Sequence, residues 1–277
     1  MRVINTVADM REARAGASDL GLVPTMGYLH EGHLSLVARS KAECGATAVS
    51  IFVNPTQFAP NEDLARYPRD LPRDLSLLDT AGVDLVFAPE ATEVYPTGFA
   101  TSVEVGGVTD VLEGAVRPGH FAGVATVVAK LFNIVQPTRA YFGQKDAQQS
   151  VVVRKMVRDL NLPVDVVVAP TVREPDGLAL SSRNSYLTAP QRAAAPVIYR
   201  ALSAARDLFK AGERDAETLR EAMRRIIVAE PQMQIDYISV ADPTSLRELT
   251  AVDQQALASM AVRLGATRLI DNLILGG

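Results

Sequence analysis

The stretch Leu22–Leu36, Leu-Val-Pro-Thr-Met-Gly-Tyr-Leu-His-Glu-Gly-His-Leu-Ser-Leu, constrains the fold more than any other part of the chain. Its opening residues are short and apolar, as a buried strand requires. Pro24 and Gly27 then break the run, because proline lacks a ladder donor and glycine accepts positive φ. From Glu31 onward Leu34, Val37 and Ala38 recur at helical spacing. Strand, tight turn and helix together aim backbone N–H groups and a positive dipole end at an anion. His30 and His33 stand three apart where the helix begins, so both can face one side. The chain has three histidines, and two of them are here.

Better-known readings of this stretch fail. Gly27-x4-Gly32 has the glycine spacing of a P-loop, but His33 and Leu34 stand where lysine and a hydroxyl residue are needed. The G-x-G-x-x-G dinucleotide pattern is absent, and the helical zinc motif needs different spacing between its glutamate and second histidine. Turn histidines that merely satisfy local hydrogen bonds are the plain alternative. What remains, His-x-Gly-His after a strand, resembles the signature of nucleotidyltransferases that attack the α-phosphate of ATP. The longer segment Pro-Thr-Met-Gly-x-Leu-His-x-Gly-His closely resembles the pantothenate synthetase family.

A length of 277 residues suffices for one large or two smaller domains. Apolar residues at 48% and charged residues at 22% are ordinary for a globular protein. A net charge of −4 creates no general field for nucleic acid, which weighs against a tRNA-binding synthetase. The single cysteine, Cys44, cannot form an internal disulfide and reads as a small core residue near a helix end. Met1–Thr6 carries no apolar signal region, and no apolar run approaches the ~18 residues of a membrane span. A soluble, cytoplasmic protein with no membrane association is therefore expected.

Along the chain, Val3-Ile4 reads as a short strand and Val7–Ala15 as a helix. Ala46–Val53 is continuously apolar and β-branched, the pattern of a parallel strand buried on both faces. It empties into Asn54-Pro55-Thr56-Gln57-Phe58, where ligands of open α/β sheets bind. Asn54 and Gln57 suit a small polar substrate, although turn chemistry around Asn-Pro explains them equally well. Phe-Val-Asn-Pro-x-Gln-Phe matches the family segment, and the resemblance decides for substrate. Tyr67-Pro68-Arg69 precedes a helix with Leu71, Leu75 and Leu78, and Asp84–Ala88 reads as a strand. Asp70 reads as a first-turn helix acid. Asp74 partly matches a family acidic position that can hold Mg²⁺ through its waters, with Arg73 where the family often has a second acid.

Arg117-Pro118-Gly119-His120-Phe121 is another family match, placed there beside the ATP and substrate pockets, and leads into a helix over Val124–Val135 with a structural Lys130. Ala140–Phe142, Gly143-Gln144-Lys145-Asp146 and a helix through Leu160 form a second strand, turn, helix unit. Lys145 at its mouth is a point charge for phosphate, and Gln149, about a turn into the helix, can present its amide to substrate. Val164–Val168 is the last strand of this half. After the turn Arg173–Gly177, Gly-Leu-x-x-Ser-Ser-Arg-Asn places two hydroxyls and an arginine suited to a triphosphate. Thr188 can cap a long helix to Lys210; Ala216–Ala229 reads as a helix, and Ile235–Val240, Ala258–Val262 and Arg268–Ile270 as β segments.

The expected fold is α/β, a Rossmann-like parallel-sheet nucleotidyltransferase domain over 1–171 and a smaller α+β lid domain over 172–277. The resemblance covers nearly the whole chain, through Asp236-Tyr237 and Thr267–Asn272. It implies a ligase that joins pantoate to β-alanine using ATP and Mg²⁺ and releases AMP and pyrophosphate through a pantoyl-adenylate, in a homodimer. It assigns to ATP the residues Met26, Gly27, Tyr28, Leu29, His30, Glu31, Gly32 and His33, then Gly143, Gln144, Lys145 and Asp146, then Val172, Leu180, Ser181, Ser182 and Arg183. His33, His30, Lys145 and Arg183 are the expected catalytic residues, with His33 the principal one. Gln57, Gln149, Asn54, Tyr67, Arg117 and His120 fall to the other substrates. A nucleotidyltransferase that keeps AMP in its product would share this ATP site, and free AMP separates the two. A non-catalytic nucleotide sensor would leave the donors around every phosphate unexplained.

Overall fold

The apolar runs around Leu22 and Val49 become neighbouring central strands because both of their faces are covered. The computed structural model describes residues 1–60 and 62–276. Strands β1 (Arg2–Ile4), β2 (Leu20–Thr25), β3 (Ala46–Ile51), β4 (Leu85–Phe87), β5 (Arg139–Gly143) and β6 (Asp165–Ala169) form one six-stranded parallel sheet. Their order is β1-β4-β3-β2-β5-β6. Successive connections leave β2 toward β3 on one side and β5 toward β6 on the other. The crevice at the carboxyl ends of β2 and β5 is thus a topological switch point, the place where such sheets bind ligands.

Helices cover both faces. Leu36, Val37 and Leu78, from the helices Glu31–Glu43 and Leu71–Thr80, pack on one face with Val23, Val49 and Val86. The other face carries Met10, the apolar helix His120–Val135, and Val152, Val153 and Met156 of the helix Ala147–Asp159.

Pro24 does not end β2, contrary to the expectation from its missing donor. Pairing of β2 with β5 stops at Leu22↔Ala140, whereas pairing with β3 continues to Thr25↔Ile51. Leu20 O accepts from Thr138 N on the β5 side and Thr25 O from Phe52 N on the β3 side. Alternation therefore turns the Pro24 nitrogen toward β5, beyond the end of that ladder, where no donor is needed. The proline ends one pairing and leaves the other, which helps open the crevice.

The C-terminal part builds a separate antiparallel sheet, β7 (Met233–Ala241), β8 (Ala256–Leu264) and β9 (Thr267–Leu275), in the order β7-β8-β9. Its core, drawn from Leu178 to Leu275, includes Ile198, Leu202, Leu219 and Met223 from the helices Val197–Lys210 and Ala216–Val228. The single helix expected from Thr188 to Lys210 is two, Ala189–Ala194 and Val197–Lys210. Pro196 between them has no N–H to continue the ladder. No helix among the described residues is long and apolar enough to cross a membrane.

Candidate active site

Adjacent strands β2 and β5 each end in a turn and a helix, so the two turns lie side by side. At the end of β2 the chain doubles back through Gly27 at φ 80° and Tyr28 at φ 51°. Glycine suits the first of these positions, and a Cβ there would also press on Asp74 and Ile51 at 3.0 Å. Asp74 holds the turn: Oδ2 accepts from Tyr28 N at 2.7 Å and Oδ1 from Leu29 N at 2.8 Å. Its side chain is 1% exposed, and burial raises its carboxyl above the ordinary value. Arg73 adds a bond to Leu29 O at 2.9 Å and stands over the Tyr28 ring.

The turn delivers His30 to the N-cap of the helix Glu31–Glu43, where its Nδ1 accepts from Gly32 N at 3.1 Å. His33 Nδ1 accepts from His30 N at 3.3 Å, and the rings stack at 4.0 Å between centroids. With both Nδ1 atoms accepting, the proton of each neutral ring sits on Nε2. Desolvation first, and then positive Lys145, push His30 down to about 4. Desolvation, then His30 and Lys145, push His33 down to about 3. Near neutral pH the pair presents two N–H donors and no charge. Lys145, on the turn after β5, is 20% exposed with Nζ 3.6 Å from Asp146 Oδ1.

Across the crevice, the segment after Leu180 is anchored to this loop. Ser182 Oγ donates to Tyr28 O at 3.3 Å, and Ser181 caps the short turn Ser182–Tyr186. Arg183 forks onto Asp63, Nε to Oδ2 and Nη2 to Oδ1, both at 3.1 Å. Burial alone would raise Asp63, but the arginine lowers it on balance.

After β3, Asn54 is 1% exposed and saturated. It donates to Gln57 Oε1 and Gly123 O, each at 3.1 Å, and accepts from Tyr95 Oη at 2.8 Å and Thr56 Oγ1 at 2.9 Å. Gly123 permits this approach: a Cβ would lie 2.4 Å from Thr56 O. Gln57 Nε2 donates to Met26 Sδ at 3.2 Å, which ties the loops after β2 and β3 together. Arg117 forks onto Glu62 at 2.6 and 2.7 Å and reaches His120 Nε2 at 3.0 Å. Since arginine only donates, His120 carries its proton on Nδ1 and gives it to Gln57 O at 2.8 Å. Burial, then Arg117, push this third histidine down to about 4.

These parts enclose a cavity of about 1020 Å³. Its walls include His30, His33, Gln57, Lys145, Gln149 and Arg183, and the C-terminal sheet closes it with Tyr237, Leu257 and Ser259.

A family model described as Pantoate-beta-alanine ligase matches residues 2–274. The chain belongs to the pantoate-beta-alanine ligase family. The pantothenate synthetase of Herpetosiphon aurantiacus is 64% identical over 276 residues, 99% of this chain and 100% of the relative. That of Chloroflexus aurantiacus is 66% identical over 278 residues, 100% and 99% of the two chains. The crystal structure of the Thermus thermophilus enzyme matches with TM-score 0.96 at 54% identity, covering 99% of both chains. The Francisella tularensis ligase, solved with Beta-gamma ATP and Beta-alanine, matches with TM-score 0.81 at 34% identity, over 99% of this chain and 97% of that one.

As a pantoate-beta-alanine ligase, the chain puts most of the expected residues on one cavity. Met26, Gly32, Tyr67, Arg117, His120, Gly143, Asp146, Val172, Leu180, Ser181 and Ser182 line it with those already named. Gly27, Tyr28, Leu29, Glu31 and Gln144 do not line it; they build its turns and helix start. Two expected residues have protein partners in this structure. Asn54, expected to contact substrate, lines the cavity, with its amide hydrogen-bonded to Gln57 and Gly123. Asp74, expected to hold Mg²⁺ through waters, has both oxygens on backbone amides and fastens the Gly27–Leu29 turn. Among the described residues no group of three or more histidine, cysteine or acidic side chains could hold a metal ion.

Sequence reasoning missed Glu62 and Asp63, which neutralise Arg117 and Arg183. The adjacent acids just after the Asn-Pro loop were the available signal. It also gave no part to Asn272, whose partners lie 127 and 128 residues away.

Proposed function

We propose that this ligase makes pantothenate in two steps at one cavity, with ATP, pantoate and β-alanine as substrates. A pantoate carboxylate oxygen attacks the α-phosphorus of ATP; the bond to the β-phosphate breaks and pyrophosphate leaves with its electron pair. The β-alanine amine then attacks the acyl carbon of the adenylate, loses a proton, and AMP departs. Charge builds on phosphate oxygens in the first step, so fixed donors there lower its barrier.

The observation that carries this reading is the pair of Nε2–H donors beside Lys145 at the ends of adjacent strands. Neutral imidazoles that only donate suit phosphate oxygens and do not suit general-base work. His33 is the principal donor, with His30, Lys145, Ser181, Ser182 and Arg183 completing the set. Gln57 and Gln149 orient pantoate, and Tyr67 with the Arg117–His120 loop backs that subsite. Mg²⁺ enters with the nucleotide, since it keeps its waters and favours substrate phosphates over an all-protein cage.

The division at 171/172 belongs to the same reading, with the later part acting as a lid that excludes water from the adenylate. Two separate sheets and a core drawn only from Leu178 onward support it. A homodimer rests on the family resemblance and a cytoplasmic location on the lone cysteine, Cys44, and sedimentation tests the first.

One assay tests the chemistry: ATP, pantoate and β-alanine with AMP and pyrophosphate both followed. Both appear in step with pantothenate. Without β-alanine, label exchanges between pyrophosphate and ATP only when pantoate is present, and His33→Ala lowers that exchange about 10²–10³-fold. Exchange that requires β-alanine overturns the two-step order, and an AMP-containing final product overturns the ligase assignment.

A further inference from the structure

The dipeptide Asp271-Asn272 lies on β9, outside every segment assigned to a substrate above, yet both residues are 3% exposed and polar. The Asn272 carboxamide is engaged at both ends by the Lys145 turn. Oδ1 accepts from Gln144 Nε2 at 2.9 Å, while Nδ2 donates to Gln144 O at 2.9 Å and to Lys145 O at 3.0 Å. Asp271 accepts a fork from Arg173, at 2.6 Å from Nη1 and 2.9 Å from Nη2. Arg173 is held further by Gly177 O at 3.1 Å, Asn272 O at 3.3 Å and the Tyr199 ring, 4.2 Å below its guanidinium.

Arg173 stands at the root of the segment that presents the hydroxyls and Arg183. It pairs with Ala179 in an antiparallel bridge, and Leu180 N donates to Val172 O at 3.0 Å. The residues after Leu180 therefore leave from a hairpin clamped to Asp271. Consecutive residues of one strand thus grip two phosphate-facing segments, the turn after β5 and the hairpin after β6. A sheet ladder resists stretching, so the spacing between the two grips is set by backbone geometry.

We propose that Asp271 and Asn272 are positioning residues that fix the distance between Lys145 and Ser181–Arg183, so that both reach one triphosphate. This rests on the adenylation reading above. Misplacing a reacting group by about 1 Å can cost on the order of 10²-fold in rate. Loss of the grip therefore acts chiefly on adenylation, since Gln57 on the β3 loop and the body of the helix Ala147–Asp159 that carries Gln149 keep their own packing.

The test is pantoate-dependent exchange between pyrophosphate and ATP in Asn272→Asp, which keeps the side chain's shape and turns its donors into an oxygen facing two carbonyls. Exchange falls about 10–100-fold while KM for pantoate stays within about twofold of wild type. In a Lys145→Ala background the same substitution adds less than about twofold, since effects that run through one residue do not add. A folded Asn272→Asp with normal exchange overturns the proposal. So does an equal fold-loss in both backgrounds, which is the mark of a merely structural residue. If Asn272→Asp does not fold, Gln144→Ala removes one bond to the turn and serves instead. A loss of exchange masked by Lys145→Ala supports the proposal, and no loss, or an unmasked one, overturns it. Wild-type protein without pantoate-dependent exchange removes the underlying reading, a result distinct from either.

Discussion

Each imidazole in this chain touches the backbone through Nδ1, and the direction of that contact decides what the ring can do. His30 and His33 accept there and so carry their N–H on Nε2; His120 donates there and has its other nitrogen taken by Arg117. Nitrogen-resolved NMR of the free protein should show two rings protonated on Nε2 and one on Nδ1, with none titrating near the ordinary 6.5. The folded values lie at about 4, 3 and 4 for His30, His33 and His120, below that ordinary imidazole value. From about pH 6.5 downward the unfolded chain thus binds more protons than the folded one. Stability from these rings is complete above that pH and is lost progressively as pH falls toward 4 and then 3. A ring that titrates in the ordinary range in the folded protein would remove the neutral-donor assignment.

At the scale of elements, the β2 turn depends on one carboxylate from a different helix. Asp74→Ala would strand two amides, Tyr28 N and Leu29 N, the latter in a fully buried residue. Each stranded buried donor costs about 1–3 kcal/mol. Urea unfolding with no divalent cation present should show a loss of that order, whereas a residue that served only Mg²⁺ would show none. The elements themselves were legible: β-branched runs marked β2 and β3, and leucine spacing marked the helix Leu71–Thr80. Their ends were less so, because Pro24 is harmless only given where the β5 ladder stops, and Pro196 breaks a helix whose composition favours continuation. The site was legible where its residues sit together, as in His30–His33 and Ser181–Arg183. It was illegible where function follows from a distant partner. Asp74 is 45 and 46 residues from the amides it holds, and no periodicity connects them.

Over the whole molecule, a partly buried ion pair joins the antiparallel sheet to the parallel-sheet half. Arg268 on β9 forks onto Glu113 at 2.6 and 2.8 Å and reaches Asp236 at 2.6 Å. Removing Glu113 leaves Arg268 paired with Asp236, so the loss is that of charged hydrogen bonds, about 1.5–3 kcal/mol. Glu113→Ala should lower stability by about that much and split the calorimetric transition in two, as the halves lose a tie. A single unshifted transition would show that the pair carries no such load.

Arg183 is tied across the same crevice, and its partner changes how a charged ligand is received. Asp63 gives the guanidinium a built-in counter-ion before any nucleotide arrives. A triphosphate that takes Arg183 exchanges one anion for another there. The Coulombic gain at that contact is a difference between two attractions, with Asp63 returned to solvent. Added salt screens the pair that is broken as well as the pair that forms. Nucleotide affinity should therefore fall less steeply with ionic strength than a count of cationic side chains implies, and Asp63→Asn should steepen it.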